Sequence, residues 1–479
     1  MTALATLMPG FEGPDLPAWV ERRLREGMGG VCLFATNVRS PEQLRALTDA
    51  IYAANPDAIV SIDEEGGDVS RLYQREGSPF PGNALLGRID DEVLSRAVGA
   101  QVGRELRDVG VNLTLAPDVD VNSNPSNPVI GVRSFGADPE LVGRHGVAWT
   151  QGVQAKGVAA NAKHFPGHGD TAQDSHVSLP TVDGDLSAVR ERELAPFAAA
   201  IAGGVQTIMS SHIMVPALDP DSPATFSKAI LTDLLREEMG FDGVIVSDAL
   251  DMVGASGEIG IPAAAARALA AGCDLLCIGT ANTDEQMGQI VDAIDAAVAA
   301  GELEASRVAD AASRIGALAR VLSEVANPGP VPEHERGTVA GFDAGRAQSG
   351  FEITATGRAR LDALAAAGAA PQWVRLEPAH NIAVGVSPWG PFSTGIEAAL
   401  TITPDECPAL DALDAGRPIV VVGKDNHRHA WAREAIDALR QRDALVVDMG
   451  WPDLTQPYAD IATFGASRVV GEALAELLP

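Results

Sequence analysis

Ionisable side chains are concentrated in residues 163–180, which read Lys-His-Phe-Pro-Gly-His-Gly-Asp-Thr-Ala-Gln-Asp-Ser-His-Val-Ser-Leu-Pro. Near the end of this stretch, Asp174 and His176 stand two positions apart. A carboxylate that hydrogen-bonds one imidazole nitrogen fixes the tautomer of the ring and stabilises its protonated form. An unperturbed histidine has a pKa of ~6.5, so a modest upward shift makes it a usable proton donor. The pair therefore indicates a general acid/base group.

Two other interpretations of this stretch stay open. A polar surface loop would account for its glycines and prolines, but not for so many ionisable groups beside an apolar run. A metal site would use His164 and His168, whose spacing puts two ligands on one face of a helix. Pro166 and Gly167 lie between them and disfavour a helix. We favour the acid/base interpretation and predict no metal.

The elements that must position these residues are short apolar runs. Residues 157–162, Gly-Val-Ala-Ala-Asn-Ala, predict a buried strand that delivers Lys163 and His164 at its end. Similar runs alternate with Ala- and Leu-rich segments of helical period up to about residue 320. Alternating strands and helices imply parallel pairing through right-handed crossovers, so eight such units predict a (β/α)8 TIM-like barrel. The predicted strands are Ala3–Met8, Gly30–Phe34, Ala58–Asp63, Val111–Asp120, Gly157–His164, Val205–His212, Val244–Asp248 and Asp274–Gly279.

Polar side chains recur at the C-terminal ends of these strands, where the active site of such a barrel lies. One or two would be unremarkable at strand ends, but a convergent set of ionisable groups predicts a functional site. The set comprises Asp63, Asp118, Asp120, Lys163, His164, Ser211, His212 and Asp248.

A second domain follows a proline-rich linker. We predict a barrel over 1–320, a linker over 321–345 and a smaller C-terminal α/β sandwich over 346–479. Buried strands are predicted at Ile382–Val386, Pro418–Gly423 and Ala444–Asp448, and helices at His429–Arg442 and Gly465–Leu478.

Composition narrows the classes of partner. The formal net charge is -30 and the pI about 4.6, which argues against nucleic acid and anionic membranes. Cys32, Cys273 and Cys277 lie in apolar runs and Cys407 in a polar stretch, a pattern that indicates free thiols in a reducing compartment. We find neither a basic, apolar leader nor an apolar run of about 18 residues, so we predict a cytoplasmic protein. No organic cofactor is indicated, and the sequence leaves the oligomeric state open.

The whole 163–180 stretch resembles the signature loop of glycoside hydrolase family 3, in its β-N-acetylglucosaminidase branch. The resemblance implies that Asp174 and His176 form the acid/base dyad. It also implies that Lys163 and His164 contact the sugar.

Other segments carry the same resemblance. Residues 243–252, Gly-Val-Ile-Val-Ser-Asp-Ala-Leu-Asp-Met, resemble the family's nucleophile segment and make Asp248 the candidate nucleophile of a retaining mechanism. The alternatives are that Asp248 caps the next helix, or that Asp251 is the nucleophile. Asp63 and Arg71 resemble the family's binding pair. Residues 131–136, Gly-Val-Arg-Ser-Phe-Gly, resemble its arginine-bearing loop, so Arg133 is a further predicted sugar contact.

Two positions depart from the family pattern. The branch often has a second aspartate after the nucleophile, where this chain has Ala249. It commonly reads Asp-Gln-Glu-Gly-Gly-Arg where residues 63–68 read Asp-Glu-Glu-Gly-Gly-Asp, so Asp68 reverses a charge. These departures put fine substrate contacts in doubt, but not the reaction class.

The sequence thus predicts a retaining β-N-acetylglucosaminidase that acts on short GlcNAc glycosides. The resemblance implies a role in cell-wall recycling, with muropeptide fragments as substrates. A phosphorylase on the same fold, a β-glucosidase and a non-catalytic sugar-binding protein are the alternatives.

Overall fold

The computed structural model describes residues 3–173, 179–257, 259–326, 329–379, 381–453 and 455–478. Asp174 and His176 lie outside the described residues. The predicted α/β class is confirmed, with strands and helices alternating along the chain.

The N-terminal part contains a parallel sheet of eight strands in the order β1-β8-β7-β6-β5-β4-β3-β2. Each neighbouring pair in this order is parallel. The carboxyl ends of all eight strands therefore meet at one edge. The strands are β1 (Leu7–Met8), β2 (Gly30–Leu33), β3 (Ile59–Ile62), β4 (Leu113–Thr114), β5 (Ala159–Phe165), β6 (Thr207–Ser210), β7 (Val244–Ser247) and β8 (Leu275–Cys277).

Helices lie between these strands and after the last of them. They are α1 (Ala18–Arg25), α2 (Pro41–Ala54), α3 (Asn83–Ile89), α4 (Glu92–Asp108), α5 (Pro139–Gln154), α6 (Leu186–Ala188), α7 (Ala195–Ala202), α8 (Val253–Ser256), α9 (Ile261–Ala271), α10 (Asp284–Ala300) and α11 (Ala305–Glu324). Val189–Glu193 and Ala229–Glu238 are π-helical. In the part of the chain that the structure covers, no helix combines the length and the hydrophobicity that a membrane crossing requires.

Strand β7 illustrates why this sheet is buried on both faces. Val244 and Val246 belong to one hydrophobic cluster, which α11 also joins through Leu318. Ile245 belongs to another cluster, formed with the surrounding helices. Successive side chains of a strand point to opposite faces, so a continuous apolar run fills both.

The C-terminal part contains a six-stranded sheet in the order β11-β10-β12-β13-β14-β9, in which only the β14–β9 pairing is antiparallel among the described strands. Val420 and Val422 face one hydrophobic cluster and Val421 the other, so helices cover both faces. The strands are β9 (Glu352–Ile353), β10 (Gln372–Leu376), β11 (Leu400–Ile402), β12 (Ile419–Gly423), β13 (Leu445–Asp448) and β14 (Ile461–Ala462). The helices are α12 (Ala344–Gln348), α13 (Ala355–Ala367), α14 (Ala430–Arg440) and α15 (Arg468–Leu477).

Two predicted strands of the N-terminal sheet are largely wrong. Ala3–Thr6 forms a 3-10 turn in which the Thr6 hydroxyl donates to the carbonyl of Ala3, so that only Leu7–Met8 is extended. In Val111–Asp120 the strand is only Leu113–Thr114. Pro117 has no backbone N–H for the ladder, and beyond it Asp118 makes an isolated bridge with Lys163.

The predicted strand Ile382–Val386 is also wrong. The segment is a loop in which the Gly385 N–H donates to the carbonyl of Asn381 at 2.9 Å, and Gly385 has a positive φ of 74°. Ile382 is 53% exposed and Val386 71% exposed. The sequence pattern missed four strands of this sheet, namely Glu352–Ile353, Gln372–Leu376, Leu400–Ile402 and Ile461–Ala462.

The four cysteines are free thiols, as predicted. Cys32, Cys273 and Cys277 are buried free thiols, and Cys407 is an exposed one.

Candidate active site

A cavity of about 310 Å³ lies beside the carboxyl ends of the parallel strands. It is lined by six predicted site residues, namely Asp63, Arg71, Arg133, Lys163, His164 and Asp248. Four other residues predicted from strand ends are buried and do not line it, namely Asp118, Asp120, Ser211 and His212. Asp174 and His176 belong to the part of the chain that is not described. Residues separated by up to 185 positions in the sequence thus share one site.

Lys163 is the central cation of the cavity. Its ammonium group contacts Asp63 Oδ1 at 2.7 Å and Glu65 Oε1 at 2.8 Å, and its side chain is almost fully buried. Burial favours the neutral amine, but the two carboxylates outweigh this effect and raise the pKa of Lys163. Lys163 is therefore a fixed positive charge that keeps a third N–H donor for a ligand.

Arg133, from a short turn at Gly131–Arg133, neutralises Glu65. Its Nε donates to Glu65 Oε2 at 3.0 Å and its Nη2 to Glu65 Oε1 at 2.7 Å, a forked and almost fully buried pair. Burial alone would raise the pKa of Glu65, but Arg133 and then Lys163 lower it to about 2. Sequence reasoning missed Glu65, although its place two residues after Asp63 at a strand end could have indicated it.

Asp63 follows β3 and stays partly accessible. Burial raises its pKa, but the charges of Lys163 and Arg71 more than offset burial and lower the pKa. Arg71 Nη2 lies 3.7 Å from Asp63 Oδ2. Asp63 is therefore an ionised acceptor at the cavity wall, suited to hydroxyl groups.

His164 is oriented from behind by Asp120. Asp120 Oδ2 lies 2.7 Å from His164 Nδ1, and Asp120 Oδ1 accepts from the backbone N–H of His164. The other ring nitrogen, Nε2, lies 3.4 Å from Arg133 Nη2. Asp120 thus fixes which imidazole nitrogen faces the other site residues.

Asp118, Asp120 and His164 stand close enough to share a metal ion. However, Asp120 already accepts hydrogen bonds on both oxygens, including one from the His168 N–H at 2.7 Å, and Arg133 Nη2 lies 3.7 Å from Asp118 Oδ2. Burial and the neighbouring Asp120 raise the pKa of Asp118 well above its usual value. The arrangement therefore fits a hydrogen-bonded support for His164 better than a cation site.

Asp248 follows β7 at the cavity. Its backbone N–H donates to Ser210 O at 3.2 Å, and its Oδ1 accepts from the Ala249 N–H at 2.8 Å. The next helix begins only at Val253, so the helix-capping alternative is wrong for the described segment. Asp251 also lines the cavity, and its Oδ2 accepts from the Thr280 N–H at 3.2 Å.

The C-terminal part contributes Ile382 and Ala383 to the lining. These residues lie more than 130 positions beyond Asp248, in a segment whose apolar composition suggested a strand. Nothing in their sequence signals a place in the site.

The departure at Asp68 has a structural role. Its Oδ1 accepts from the backbone N–H of Ala466 at 2.9 Å, across the contact between the N-terminal and C-terminal parts. Asp68 therefore joins the two parts and does not line the cavity.

Comparisons with known proteins place this chain among glycoside hydrolases. A β-hexosaminidase A from Pseudoalteromonas piscicida is 36% identical over 300 residues, which cover 57% of this chain and 50% of that protein. This chain thus spans about half the length of that relative.

Two solved structures extend the likeness to the fold. A glycoside hydrolase family 3 β-N-acetylglucosaminidase from Paenibacillus sp. str. FPU-7 has a TM-score of 0.83 and 30% identity, over 99% of this chain and 95% of that one. NagZ from Neisseria gonorrhoeae in complex with N-trifluoroacetyl-D-glucosamine has a TM-score of 0.58 and 31% identity, over 72% of this chain and 96% of that one. Residues 18–318 match the glycosyl hydrolase family 3 N-terminal domain. The chain therefore belongs to glycosyl hydrolase family 3, a family of glycoside hydrolases.

Proposed function

We propose that this protein is a retaining β-N-acetylglucosaminidase that releases terminal β-linked GlcNAc from short glycosides. One observation carries the proposal: Asp248 shares a single cavity with the charged and polar groups of Asp63, Arg133, Lys163 and His164. The names of the relatives, β-hexosaminidase and β-N-acetylglucosaminidase, support the same substrate class.

In the proposed mechanism the Asp248 carboxylate attacks the anomeric carbon as the glycosidic C–O bond breaks. His176, paired with Asp174, gives its proton to the leaving oxygen. His176 then takes a proton from water, which attacks the glycosyl-Asp248 ester and frees the sugar. Two inversions at the anomeric carbon retain the β configuration. The roles of Asp174 and His176 rest on the sequence and its resemblance to the family.

The other residues hold the sugar. Asp63 accepts hydrogen bonds from hydroxyl groups, and Lys163 donates to a sugar oxygen. His164 and Arg133 supply the other polar groups around the sugar, and Arg71 supports Asp63. Charged donors and acceptors on opposite sides of a polyol give orientation as well as affinity.

We infer that the eight-stranded sheet is a (β/α)8 barrel, because the Cys32 N–H donates to Pro9 O at 3.0 Å between the two edge strands. We also infer a catalytic domain over 1–320, a linker over 321–345 and a C-terminal α/β sandwich over 346–479. Muropeptide fragments in the cytoplasm are the proposed natural substrates, on the strength of the resemblance.

The test is hydrolysis of an aryl β-GlcNAc glycoside by wild type and by Asp248→Ala. We expect the variant to lose at least about a thousandfold in kcat, because the covalent step then lacks its proposed nucleophile. Asp251→Ala is the matched control and should keep most of the activity. Near wild-type turnover by Asp248→Ala would remove the nucleophile assignment.

Product analysis separates the alternatives. NMR should show β-GlcNAc as the first product, with and without phosphate present, whereas GlcNAc-1-phosphate would indicate a phosphorylase.

The role of His176 is tested with substrates of different leaving-group ability. The glycosylation rate of His176→Ala should approach that of wild type most closely with substrates that carry good leaving groups. A rate that is independent of the leaving group would contradict its role as the acid.

A further inference from the structure

The segment 381–386, from the C-terminal part of the chain, forms one wall of the catalytic cavity. Ile382 and Ala383 line the same space as Asp63 and Asp248. The side chain of Ile382 is 53% exposed, and a ligand in the cavity would cover it. Ligand cavities typically combine an apolar lining with a few polar groups, and Ile382 belongs to such a lining here.

Arg71 holds this segment from one side. Its Nη2 donates to Ala383 O at 2.7 Å and its Nη1 to Val384 O at 3.2 Å. Arg71 is only 9% exposed. Because one planar guanidinium group donates to two successive carbonyl oxygens, it fixes both the location and the orientation of this backbone segment.

Asn381 holds the segment from the other side. Its Nδ2 donates to Pro128 O at 3.2 Å and to Val129 O at 3.4 Å. Its Oδ1 accepts from the Ala383 N–H at 2.9 Å, which shapes the turn. Asn381 does not line the cavity, so it acts on a ligand only through the segments that it holds.

The wall lies at a defined end of the sugar. Asp248 follows β7 and Asp63 follows β3, with three strands between them in the sheet, so the two carboxylates lie on different sides of the cavity. C1 and C4 are opposite positions of a pyranose ring. A sugar with C1 at Asp248 would direct its C4 toward Asp63. Arg71, which stands 3.7 Å from Asp63 Oδ2, holds the carbonyls of Ala383 and Val384, so it places the segment at the Asp63 end of the cavity.

We propose that residues 381–386 close the non-reducing end of the sugar site, so that only terminal residues are cleaved, and that Arg71 and Asn381 are positioning residues for this wall. The proposal rests on the proposed glycosidase function. It assigns to the C-terminal part of the chain a direct role in substrate specificity.

The test compares aryl β-GlcNAc with its 4-O-methyl analogue on the full-length protein. We expect wild type to prefer the unsubstituted substrate and Asn381→Ala to lower that preference by about tenfold, the equivalent of one or two lost hydrogen bonds. Its kcat should stay close to that of wild type. Amide hydrogen exchange over 381–386 should rise in the variant, a readout that needs no activity.

Two further variants keep the test decisive. Ile382→Ala removes the wall's apolar side chain without touching either anchor and should also lower the preference. Glu352→Gln breaks a different contact between the two parts, the exposed pair with Arg88 at 2.6 Å, and should leave the preference unchanged. An unchanged preference in both Asn381→Ala and Ile382→Ala would overturn the proposal that this segment closes the non-reducing end of the site. No hydrolysis by wild type would instead defeat the proposed function.

Discussion

Replacing Glu64 with glutamine is expected to remove a pH-dependent loss of stability. Glu64 has no solvent exposure. Its Oε2 accepts from Ser70 Oγ at 2.8 Å and from the backbone N–H groups of Arg71 and Leu72 at 3.0 and 3.1 Å. Burial nevertheless dominates and raises the pKa of Glu64 to about 7. Glutamine, which the family pattern carries here, offers the same acceptor without a titratable proton.

The sign follows from proton binding. An unfolded glutamate has a pKa near 4.5, so between pH 4.5 and 7 the folded state holds a proton that the unfolded state has released. Stability from this group is complete below pH 4.5 and is lost as pH rises to about 7. The gap corresponds to about 3 kcal/mol, at 1.36 kcal/mol for each pKa unit. Burial also raises the pKa values of Glu193 and Asp448 to about 7. The pH dependence of wild-type stability therefore includes contributions from these two groups as well as from Glu64.

Urea unfolding at pH 4 and pH 8 measures the contribution of Glu64. We expect Glu64→Gln to match wild type at pH 4 and to exceed it by about 3 kcal/mol at pH 8. Glu12→Gln, at an exposed position, should match wild type at both. Parallel pH profiles of wild type and Glu64→Gln would refute the reasoning, because the buried proton would then have no energetic consequence.

Three more substitutions test the charged framework. Lys163→Met should lower stability by about 3–5 kcal/mol in urea and raise KM for aryl β-GlcNAc, because two carboxylates lose their shared cation; an unchanged unfolding midpoint would contradict this. Arg133→Lys should also weaken substrate binding, measured by calorimetry, since lysine cannot make the fork to Glu65; wild-type affinity would show that the fork is unimportant. Asp68→Ala should cost about 1–3 kcal/mol by leaving the Ala466 N–H unpaired, and Asp68→Asn, which keeps an acceptor, should recover part of it; equal losses would indicate that the bond is not what matters.

Much of the site could be predicted because parallel strands end together. Asp63, Lys163 and Asp248 each follow or end a buried apolar run, and such runs are visible in the sequence. In a parallel sheet their carboxyl ends meet at one edge, so strand order did not have to be known. The α/β class follows from the same alternation of short and long segments.

The rest depends on contacts that leave no local pattern. Ile382–Val386 has the composition of a strand, yet Gly385 turns the backbone and no neighbouring strand pairs with it in the described structure. Its conformation is set instead by Arg71 and Asn381, one of them more than 300 positions away. Strand propensity cannot predict the conformation of a segment that is held by a side chain distant in the sequence.

Arg71 shows why the site and the C-terminal part must be considered together. The sequence predicts a sugar contact, and the guanidinium does stand 3.7 Å from Asp63, but two of its nitrogens donate to the carbonyls of Ala383 and Val384. A side chain that both compensates the charge of Asp63 and fixes a backbone segment cannot be replaced without changing both. Loss of activity in an Arg71 variant would therefore not identify a direct sugar contact. Asn381, which holds the same segment from outside the cavity, separates the two effects. If the segment sets specificity, the loss of preference for the unsubstituted over the 4-O-methyl substrate in an Arg71 variant must reappear in part in Asn381→Ala, and the two losses of preference must combine less than additively.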